Sequence, residues 1–273
     1  MKSTEATTLI DQGVKTLTAA LSAGHSENLK AFLKMASHFH NYSLNNWLLI
    51  FSQCPGATKV CGYKTWQKLG RQVKKGGSSI RILAPRKFKK EDKDGKEKEG
   101  MYFTTVPVFD ISQTEGEDLP EVFKVEGDPG EYTAILEEVI SDLGIYLEDV
   151  QDLGGALGRS KGGEILILKT LDGSQRFTTL VHELAHELLH KDEDRPSSKT
   201  QRETEAEAVA YIVGQAIGVD SLGQTADYVQ LWKGDLELFH KCLGRIQKCA
   251  KTIIEALQKK AKSQERIALS VEN

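Results

Sequence analysis

Apolar residues recur along this chain with two different spacings, and each spacing predicts a different kind of element. In "YSLNNWLLIF", Leu44, Trp47, Leu48 and Phe51 follow the i, i+3, i+4, i+7 spacing of one helix face, so Trp47 is expected in a core. Helices are predicted at residues 5–23, 27–40, 42–51, 62–70, 132–143, 174–190, 200–217 and about 225–260.

Alternating apolar and polar residues predict strands elsewhere. "SIRILAP" and "YFTTVPVFDI" both alternate, and the mixed-charge run "KKEDKDGKEKEG" between them is interpreted as a solvated hairpin loop. Three shorter strands, "IYLED", "GALGR" and "EILIL", are predicted to form a small sheet with glycine-rich turns. The order helix, small sheet, helices predicts an α+β fold for the second half of the chain.

Charge is distributed unevenly, which together with the length indicates two domains. A chain of 273 residues is comfortable for two hydrophobic cores. The net charge is only −3, but residues 28–90 contain thirteen Lys and Arg and no acid, whereas residues 110–152 contain fourteen acids and one base. We predict a basic mixed α/β domain at residues 1–115, a linker at 116–130, and a second domain with a helical tail at 131–273.

The acid-free stretch is suited to a polyanion. Its lysines and arginines would attract phosphates, and its aromatic rings could stack on bases. A lysine-rich surface can also serve solubility alone, so both interpretations stay open. No helix-turn-helix, zinc-finger or ribonucleoprotein motif is present, which argues against reading of a specific sequence in the major groove. The candidate contacts are Lys59, Tyr63, Lys64, Trp66, Lys68, Arg71, Lys74, Lys75 and Arg81.

The segment "TTLVHELAHELLH" carries the strongest chemical signal in the chain. On a helix, His182 and His186 lie one turn apart, with about 6 Å between their Cβ atoms, and can take two corners of one tetrahedral metal site. Glu183 is offset by one residue and is placed to accept a proton from a metal-bound water. His190 lies about 12 Å along the helix from His182, too far to share that metal. The alternative is that these histidines line the polar face of an amphipathic helix.

A third ligand is therefore expected from the next helix, which begins within "QRETEAEAVAYIVG". Glu203 and Glu207 lie one turn apart on one face, and Ala206 and Ala210 beside them would let two helices approach closely. We assign Glu203 to the metal and Glu207 to the second ring nitrogen of a ligand histidine, and we expect Glu205 in solvent. The alternative is that these acids only complement the helix dipole. The predicted ion is Zn²⁺.

Two parts of the chain resemble known families. "HELAHELLH" with "ETEAEAVAYIV" is similar to the zincin metallopeptidase domains of the ImmA/IrrE and ArdC-like group, in which H-E-x-x-H precedes a helix containing E-x-x-A-[END]. The resemblance implies the ligands His182, His186 and Glu203 and the base Glu183, while Glu207 stands where ImmA-like proteins have Asn or Asp. "YSLNNWLLIFSQCPGATKVCGYKTWQKLGRQVKKGGSSIRILAP" and "VFDISQTEG" resemble the N-terminal domain of ArdC-type antirestriction proteins, which implies binding of single-stranded DNA.

These features together predict a cytoplasmic, DNA-associated zinc metallopeptidase of antirestriction type with an unidentified protein substrate. The glycine-rich strand at 154–159 would be the sheet edge that pairs with an extended substrate, and Tyr211 and His190 are both candidates for the oxyanion donor. Two alternatives stay open: a non-proteolytic binder of single-stranded DNA whose metal only braces the fold, and a regulatory protease that cleaves a repressor. No signal peptide or membrane span is expected, and the four cysteines are expected to be reduced.

Overall fold

The computed structural model describes residues 3–23, 26–91, 97–119, 128–171, 173–191, 195–219 and 235–271. By its internal contacts the chain divides into two compact units. Unit 1 comprises Met1–Ala20 and Tyr42–Pro120, and unit 2 comprises Leu21–Asn41 and Glu121–Asn273. Helices and strands occur in both units, which confirms the predicted α+β class.

Unit 1 is organised around a long antiparallel hairpin. Its described elements are α1 (Ser3–Ser22, nearly all of it in this unit), α3 (Leu44–Gln53), β1 (Val60–Cys61), α4 (Tyr63–Lys68), β2 (Arg71–Val73), β3 (Ile80–Glu91), β4 (Glu97–Asp110) and β5 (Thr114–Gly116). One sheet has the order β1-β4-β3, and β2 and β5 form a separate antiparallel pair. The three short strands are additions to the elements that the sequence predicted.

Two amide side chains of α3 tie this helix to β3, an edge strand of its sheet. The side chain of Asn46 donates to the carbonyl of Leu83 (2.9 Å) and accepts from its amide (2.8 Å). Gln53 makes the same pair of bonds with Arg81 (both 2.9 Å). Helix α3 therefore satisfies backbone N–H and C=O groups of the edge strand that could otherwise pair with a strand of another chain. Trp47 of the same helix is fully buried, as predicted.

Trp66 belongs to the core of unit 1, so the prediction that its ring stacks on bases is wrong. The side chain is 0% exposed, and its indole N–H donates to the carbonyl of Phe109 (2.9 Å). The lysines beside it suggested exposure, but they reach solvent on their own long stems while the ring turns inward. A large ring whose N–H finds a buried carbonyl gains more from burial than from solvent. Tyr63 on the same short helix remains 43% exposed.

The β3–β4 hairpin is longer than the alternating pattern predicted. Pairing continues from Ile80 opposite Val108 to Glu91 opposite Glu97, so the mixed-charge run supplies strand residues as well as a turn. Turn residues 92–96 lie outside the described residues. We call residues 85–91 and 97–103 the arm. Its large apolar side chains are well exposed: Phe88 (44%), Met101 (60%), Tyr102 (53%) and Phe103 (56%).

Unit 2 places a small sheet and five helices around one core. Its described elements are α2 (Ser26–Ser37), α5 (Tyr132–Asp142), β6 (Tyr146–Val150), β7 (Gly158–Ser160), β8 (Glu164–Leu168), α6 (Gly173–Leu189), α7 (Lys199–Ile217) and α8 (Leu236–Val271). The sheet order is β6-β8-β7, with β6 parallel and β7 antiparallel to the central β8. Strand β7 is therefore an edge strand, but it comprises Gly158–Ser160, so residues 154–157 of the predicted strand do not belong to it.

By its contacts the segment Leu21–Asn41 groups with unit 2, whereas the sequence placed it in a domain of residues 1–115. Helix α2 packs against α7, and Leu29, Phe32 and Leu33 are fully buried. The charge pattern grouped this segment with the basic stretch, but burial of apolar surface decides which core a helix joins. Most of the predicted linker at 116–130 lies outside the described residues.

The sequence predicted reduced cysteines and no membrane-spanning segment. Cys54, Cys61, Cys242 and Cys249 are free thiols. No helix in the part of the chain that the structure describes combines the length and the apolar character needed to cross a bilayer. Helix α8 begins at Leu236, later than the predicted tail, and residues 220–234 lie outside the described ranges.

Candidate metal centre

Helices α6 and α7 run in opposite directions and pack closely along a face rich in alanine. Ala185 of α6 and Ala206 of α7 are fully buried, and Ala210 is 4% exposed. Side chains this short allow the two helix axes to come close together. Polar residues at neighbouring positions of the two helices consequently meet across the contact.

Three of these polar residues form a triangle of donor atoms. His182 Nε2 and His186 Nε2 are 3.1 Å apart, and each lies 3.4 Å from Glu203 Oε2. Two bonds of about 2.1 Å at a tetrahedral angle separate their ligand atoms by about 3.4 Å, so this spacing is that of ligands around one zinc-sized ion. Among the described residues, these three form the group of side chains that could hold a metal.

The electrostatics of the triangle favour a cation. Hydrogen bonds with His182 and His186 hold the pKa of Glu203 well below its usual range. Burial by itself would lower the pKa of His182, but the bonds to Glu203 and Glu207 and the charge of Glu183 outweigh burial and raise it to about 9. The glutamates thus hold a positive charge at this point, which a metal ion can supply in place of the imidazole proton.

Glu207 lies behind the ligand His182, at the place the sequence assigned to it. Its Oε2 is 3.4 Å from His182 Nδ1, while His182 Nε2 faces the triangle. A carboxylate on the second ring nitrogen fixes the tautomer and the orientation of a ligand histidine.

The side chain of Glu183 lies close to the backbone of strand β7 at Gly158. The carboxylate is 7% exposed, and burial raises its pKa, against the opposing charges of His182 and His186. A Cβ atom at Gly158 would come within 2.7 Å of Glu183 Cγ and 2.9 Å of its Oε1. Only glycine therefore lets β7 pass this close to the glutamate.

A buried relay supports the other ligand histidine. His186 Nδ1 lies 2.8 Å from His190 Nδ1, and His190 Nε2 lies 3.0 Å from Glu205 Oε2. If His186 Nε2 binds a metal, its proton sits on Nδ1 and is donated to His190, which in turn donates from Nε2 to Glu205. Burial lowers the pKa of His190, which favours the neutral ring that this chain of bonds requires.

The relay corrects two expectations. Glu205 was expected in solvent, but it is 0% exposed. The 3.6-residue period places it away from Glu203 on α7, yet that side of the helix is covered by α8. His190 is also removed as an oxyanion donor, because both of its ring nitrogens are engaged. Tyr211, the other candidate, is half-buried on α7.

Partners from two helices keep Glu205 charged, Arg245 of α8 and Gln201 of α7. Arg245 Nε lies 3.3 Å from Glu205 Oε2, and Gln201 donates to Glu205 Oε1 (3.1 Å). Burial would raise the pKa of Glu205, but the bonds from His190 and Gln201 and the charge of Arg245 outweigh it and lower the pKa. Arg245 also donates to the carbonyl of Leu189 (2.6 Å), near the end of α6. One arginine thus joins the relay to the helix that carries the ligands.

Glu187 holds the turn that follows the edge strand. It accepts from the Ser160 hydroxyl (2.5 Å) and from the amides of Gly162 (2.8 Å) and Gly163 (2.6 Å). These bonds fix the end of β7 to α6. The roles of Glu187 and of the relay were not predicted from the sequence, although His190 and Glu187 each stand four residues after a motif residue.

The predicted nucleic-acid contacts lie in unit 1 and are only partly available. Lys59, Lys64, Lys68, Lys74 and Lys75 are exposed. Arg71 instead binds within its own unit, donating from Nε to the Thr114 hydroxyl (2.8 Å) and from its guanidinium to the Glu117 carbonyl. Arg81 is half-buried beside α3. The exposed lysines and Tyr63 therefore remain candidates, whereas Trp66 does not.

We expect His190→Ala to weaken binding of a divalent metal by about 10–100-fold, the usual effect of losing a partner behind a ligand histidine. Titration of the full chain against a chelating indicator measures the affinity, and circular dichroism checks the fold. The matched control is His240→Ala, since His240 is exposed on α8. Equal affinities for the two variants would show that the relay does not orient His186.

Residues 4–113 match the family described as the N-terminal domain of anti-restriction factor ArdC. The crystal structure of the antirestriction ArdC protein from R388 plasmid in its metal-free form has a TM-score of 0.59 at 21% identity, covering 93% of this chain and 98% of that chain. Its Mn(II)-bound form has a TM-score of 0.58 at 19% identity with the same coverage.

The uncharacterized protein pXO2-81 of Bacillus anthracis is 26% identical over 291 residues. The alignment covers 88% of this chain and 49% of that protein, so the chain spans about half the length of this curated relative. The likeness to an ImmA-type domain stays a prediction. The likeness to ArdC is confirmed for the N-terminal domain, whose family model matches residues 4–113, and for the fold, which this chain shares with the ArdC protein from R388 plasmid over 93% of its length.

Proposed function

We propose that unit 2 of this ArdC-like protein is a zinc-dependent peptidase. The observation that carries the proposal is the combination of two features within one site. A triangle of His182, His186 and Glu203 has the spacing of metal ligands, and the buried carboxylate of Glu183 stands beside it against the edge strand β7. A metal that only stabilised the fold would require neither the buried Glu183 nor the neighbouring edge strand β7.

Each part has a role in hydrolysis. When bound, the ion supplies a coordinated water of lowered pKa and polarises the carbonyl of the scissile peptide. Glu183 accepts the proton from the attacking water and then donates it to the departing amine. Its burial raises its pKa toward the range in which one group can do both. The side of β7 away from β8 would pair with an extended substrate.

Zinc is proposed as the ion because of the donor set and its spacing. Two imidazoles and one carboxylate are a usual ligand set of catalytic zinc, with a further position left for water. The related ArdC protein from R388 plasmid has been crystallised with Mn(II), and nitrogen and oxygen donors also accept that ion. The distances of 3.1–3.4 Å between donor atoms match the tetrahedral geometry that zinc prefers.

We further propose that unit 1 binds single-stranded DNA without sequence preference. The observation in its favour is the arm, which carries exposed rings between exposed cations. Arg86 and Lys87 stand opposite Tyr102 and Met101, and Phe103 lies opposite Pro85. Bases can stack on such rings while phosphates meet the cations, which is how sequence-tolerant binding of single strands is built. The arm takes over the stacking role that Trp66 cannot fill.

The two activities together suggest an antirestriction role in the cytoplasm, in which the protein acts near incoming DNA. The alternatives differ in whether hydrolysis matters. A pure binder would coat single-stranded DNA and use the metal for stability, and a regulatory protease would cleave a repressor with unit 1 as its docking surface. A change that removes hydrolysis but leaves metal and DNA binding intact separates the pure binder from the two interpretations that require proteolysis.

Glu203→Ala should abolish stoichiometric zinc binding, because two histidines alone make an incomplete site. The loss of affinity should exceed the about 10–100-fold expected for partners behind the ligands. Elemental analysis of the purified full chain measures the zinc content. The control is Glu237→Ala, an exposed glutamate on α8. Undiminished zinc in Glu203→Ala would mean that another group is the third ligand.

Glu183→Gln should retain zinc and lower the rate of peptide hydrolysis by about 10²–10⁴-fold, because an amide cannot accept the proton. Zinc content and turnover of a quenched fluorescent peptide library are measured on the same preparation. A variant that hydrolyses peptides as fast as the parent would exclude Glu183 as the base. Protection of DNA from restriction that survives this substitution would favour the pure binder.

Replacing Tyr102 and Phe103 by Ala should each weaken binding of a single-stranded oligonucleotide by about 1–3 kcal/mol, with the salt dependence unchanged. Lys74→Glu with Lys75→Glu should instead lower the slope of log affinity against log salt by about 0.7 per lost phosphate contact. Fluorescence anisotropy of the full chain over a salt series measures both. Tyr146→Ala, at a 61% exposed tyrosine of unit 2, is the control. Tighter binding of duplex than of single strand would contradict the assignment.

A further inference from the structure

A cleft of about 810 Å³ opens directly beside the candidate metal centre in unit 2. Glu183, His186 and Glu203 form part of its lining, so whatever enters the cleft meets the proposed catalytic groups. The rest of the lining is strongly basic. Six cationic residues surround the site: Arg159, Lys161, Lys191, Arg195, Lys199 and Arg202.

The first basic wall is the edge strand itself. Arg159 lies in β7, and Lys161 follows its last residue. Arg159 donates to the carbonyl of Leu153 (3.2 Å), a bond that orients the guanidinium without removing its charge. Lys161 is 3.2 Å from Glu164, in a half-exposed pair that offsets part of its charge. A substrate strand added to β7 would therefore lie beside at least one uncompensated cation.

The second basic wall is the start of α7. Ser198 caps this helix, and its first turn contains Lys199 and no acid. Helix N-termini carry a partial positive charge and favour acids, so Lys199 and Arg202 are placed against the helix dipole. Arg202 is oriented by the carbonyls of Pro196 (2.6 Å) and Ser197 (3.0 Å). Lys199 and Arg202 are therefore unfavourable for the stability of α7, but they add positive potential to the cleft.

Three acids also line the cleft, Glu183, Glu187 and Glu203, so its cations outnumber its acids by six to three. Glu187 is oriented away from a substrate by Ser160 and two backbone amides, and Glu203 by the two candidate ligand histidines. Within the described chain, Lys191, Arg195 and Lys199 make no ion pair. The residues from 192 to 194, which are acidic in sequence, lie outside the described ranges, and the test below includes them.

We propose that the site acts on acidic polypeptide segments, with Asp or Glu side chains on both sides of the scissile bond. This inference rests on the proposed peptidase function and names its substrate class. A peptide suits the cleft better than a nucleic acid. The edge of β7 offers backbone groups to an extended chain, and the described lining contains no Phe, Tyr or Trp on which a base could stack.

Binding is tested apart from hydrolysis in the zinc-loaded full chain carrying Glu183→Gln. The probes are three fluorescent twelve-residue peptides that are rich in Glu, in Lys or in neutral residues. We expect the acidic peptide to bind most tightly and to weaken about tenfold or more in Lys191→Glu with Lys199→Glu. The matched control is Lys241→Glu with Lys248→Glu, two exposed lysines of α8 outside the cleft. Equal loss in the control pair, or no preference among the peptides, overturns the proposal.

Two further binding measurements test the charge of the cleft and the class of its ligand. Neutral replacements at 192–194 should tighten the acidic peptide further, and a loss of its binding would show that those acids do not oppose the cleft's charge. Affinity for a single-stranded oligonucleotide should not change in Lys191→Glu with Lys199→Glu. If it falls as far as peptide affinity, the cleft holds DNA and the proposal fails.

Measurements of hydrolysis distinguish a failure of the acidic-substrate proposal from a failure of the proposed peptidase function. The parent chain with zinc should show a higher kcat/KM for acidic than for neutral peptides, and the ratio should fall in the doubly reversed variant. Turnover of all peptides alike overturns the substrate class but keeps the peptidase. If no peptide is hydrolysed at a rate that Glu183→Gln lowers, the proposed peptidase function itself is wrong.

Discussion

The close approach of α6 and α7 is the contact on which the candidate site depends. Alanines on both helices bring the backbones together, and the polar residues beside them pair across the contact: His182 with Glu207, His186 with Glu203, and His190 with Glu205. The ligands, their supports and the relay are therefore one structural element.

This arrangement keeps several charges away from water, which is costly unless each is paired. Glu205 is fully buried and is balanced by Arg245 from α8, and removing one partner of such a pair costs about 3–5 kcal/mol. The paired charges connect three helices and leave the ligand histidines little freedom to turn. Orientation of ligands before the metal arrives is what a catalytic site gains from such a network.

The two units use positive charge in different ways. In unit 1 it is spread along an exposed hairpin with rings between the cations, an arrangement suited to a flexible polyanion of stacked bases. In unit 2 it is gathered around a cleft that ends at the candidate metal centre and a sheet edge, and the described lining has no aromatic surface. The same residue types therefore indicate different partners, because their neighbours differ.

The amino-acid sequence by itself determined the helices and longer strands, the ligand pair with its glutamate, and the partner helix carrying Glu203. These follow from spacing along the chain, because a helix places residues three and four apart on one face whatever surrounds it. Only the tertiary structure decided that Trp66 is core, that Glu205 is buried, that residues 21–41 join unit 2, and that Glu187 and His190 support the site. Each of these depends on which element packs against a given helix face. The residues of that element are distant in sequence, so the local spacing of apolar residues does not specify the burial.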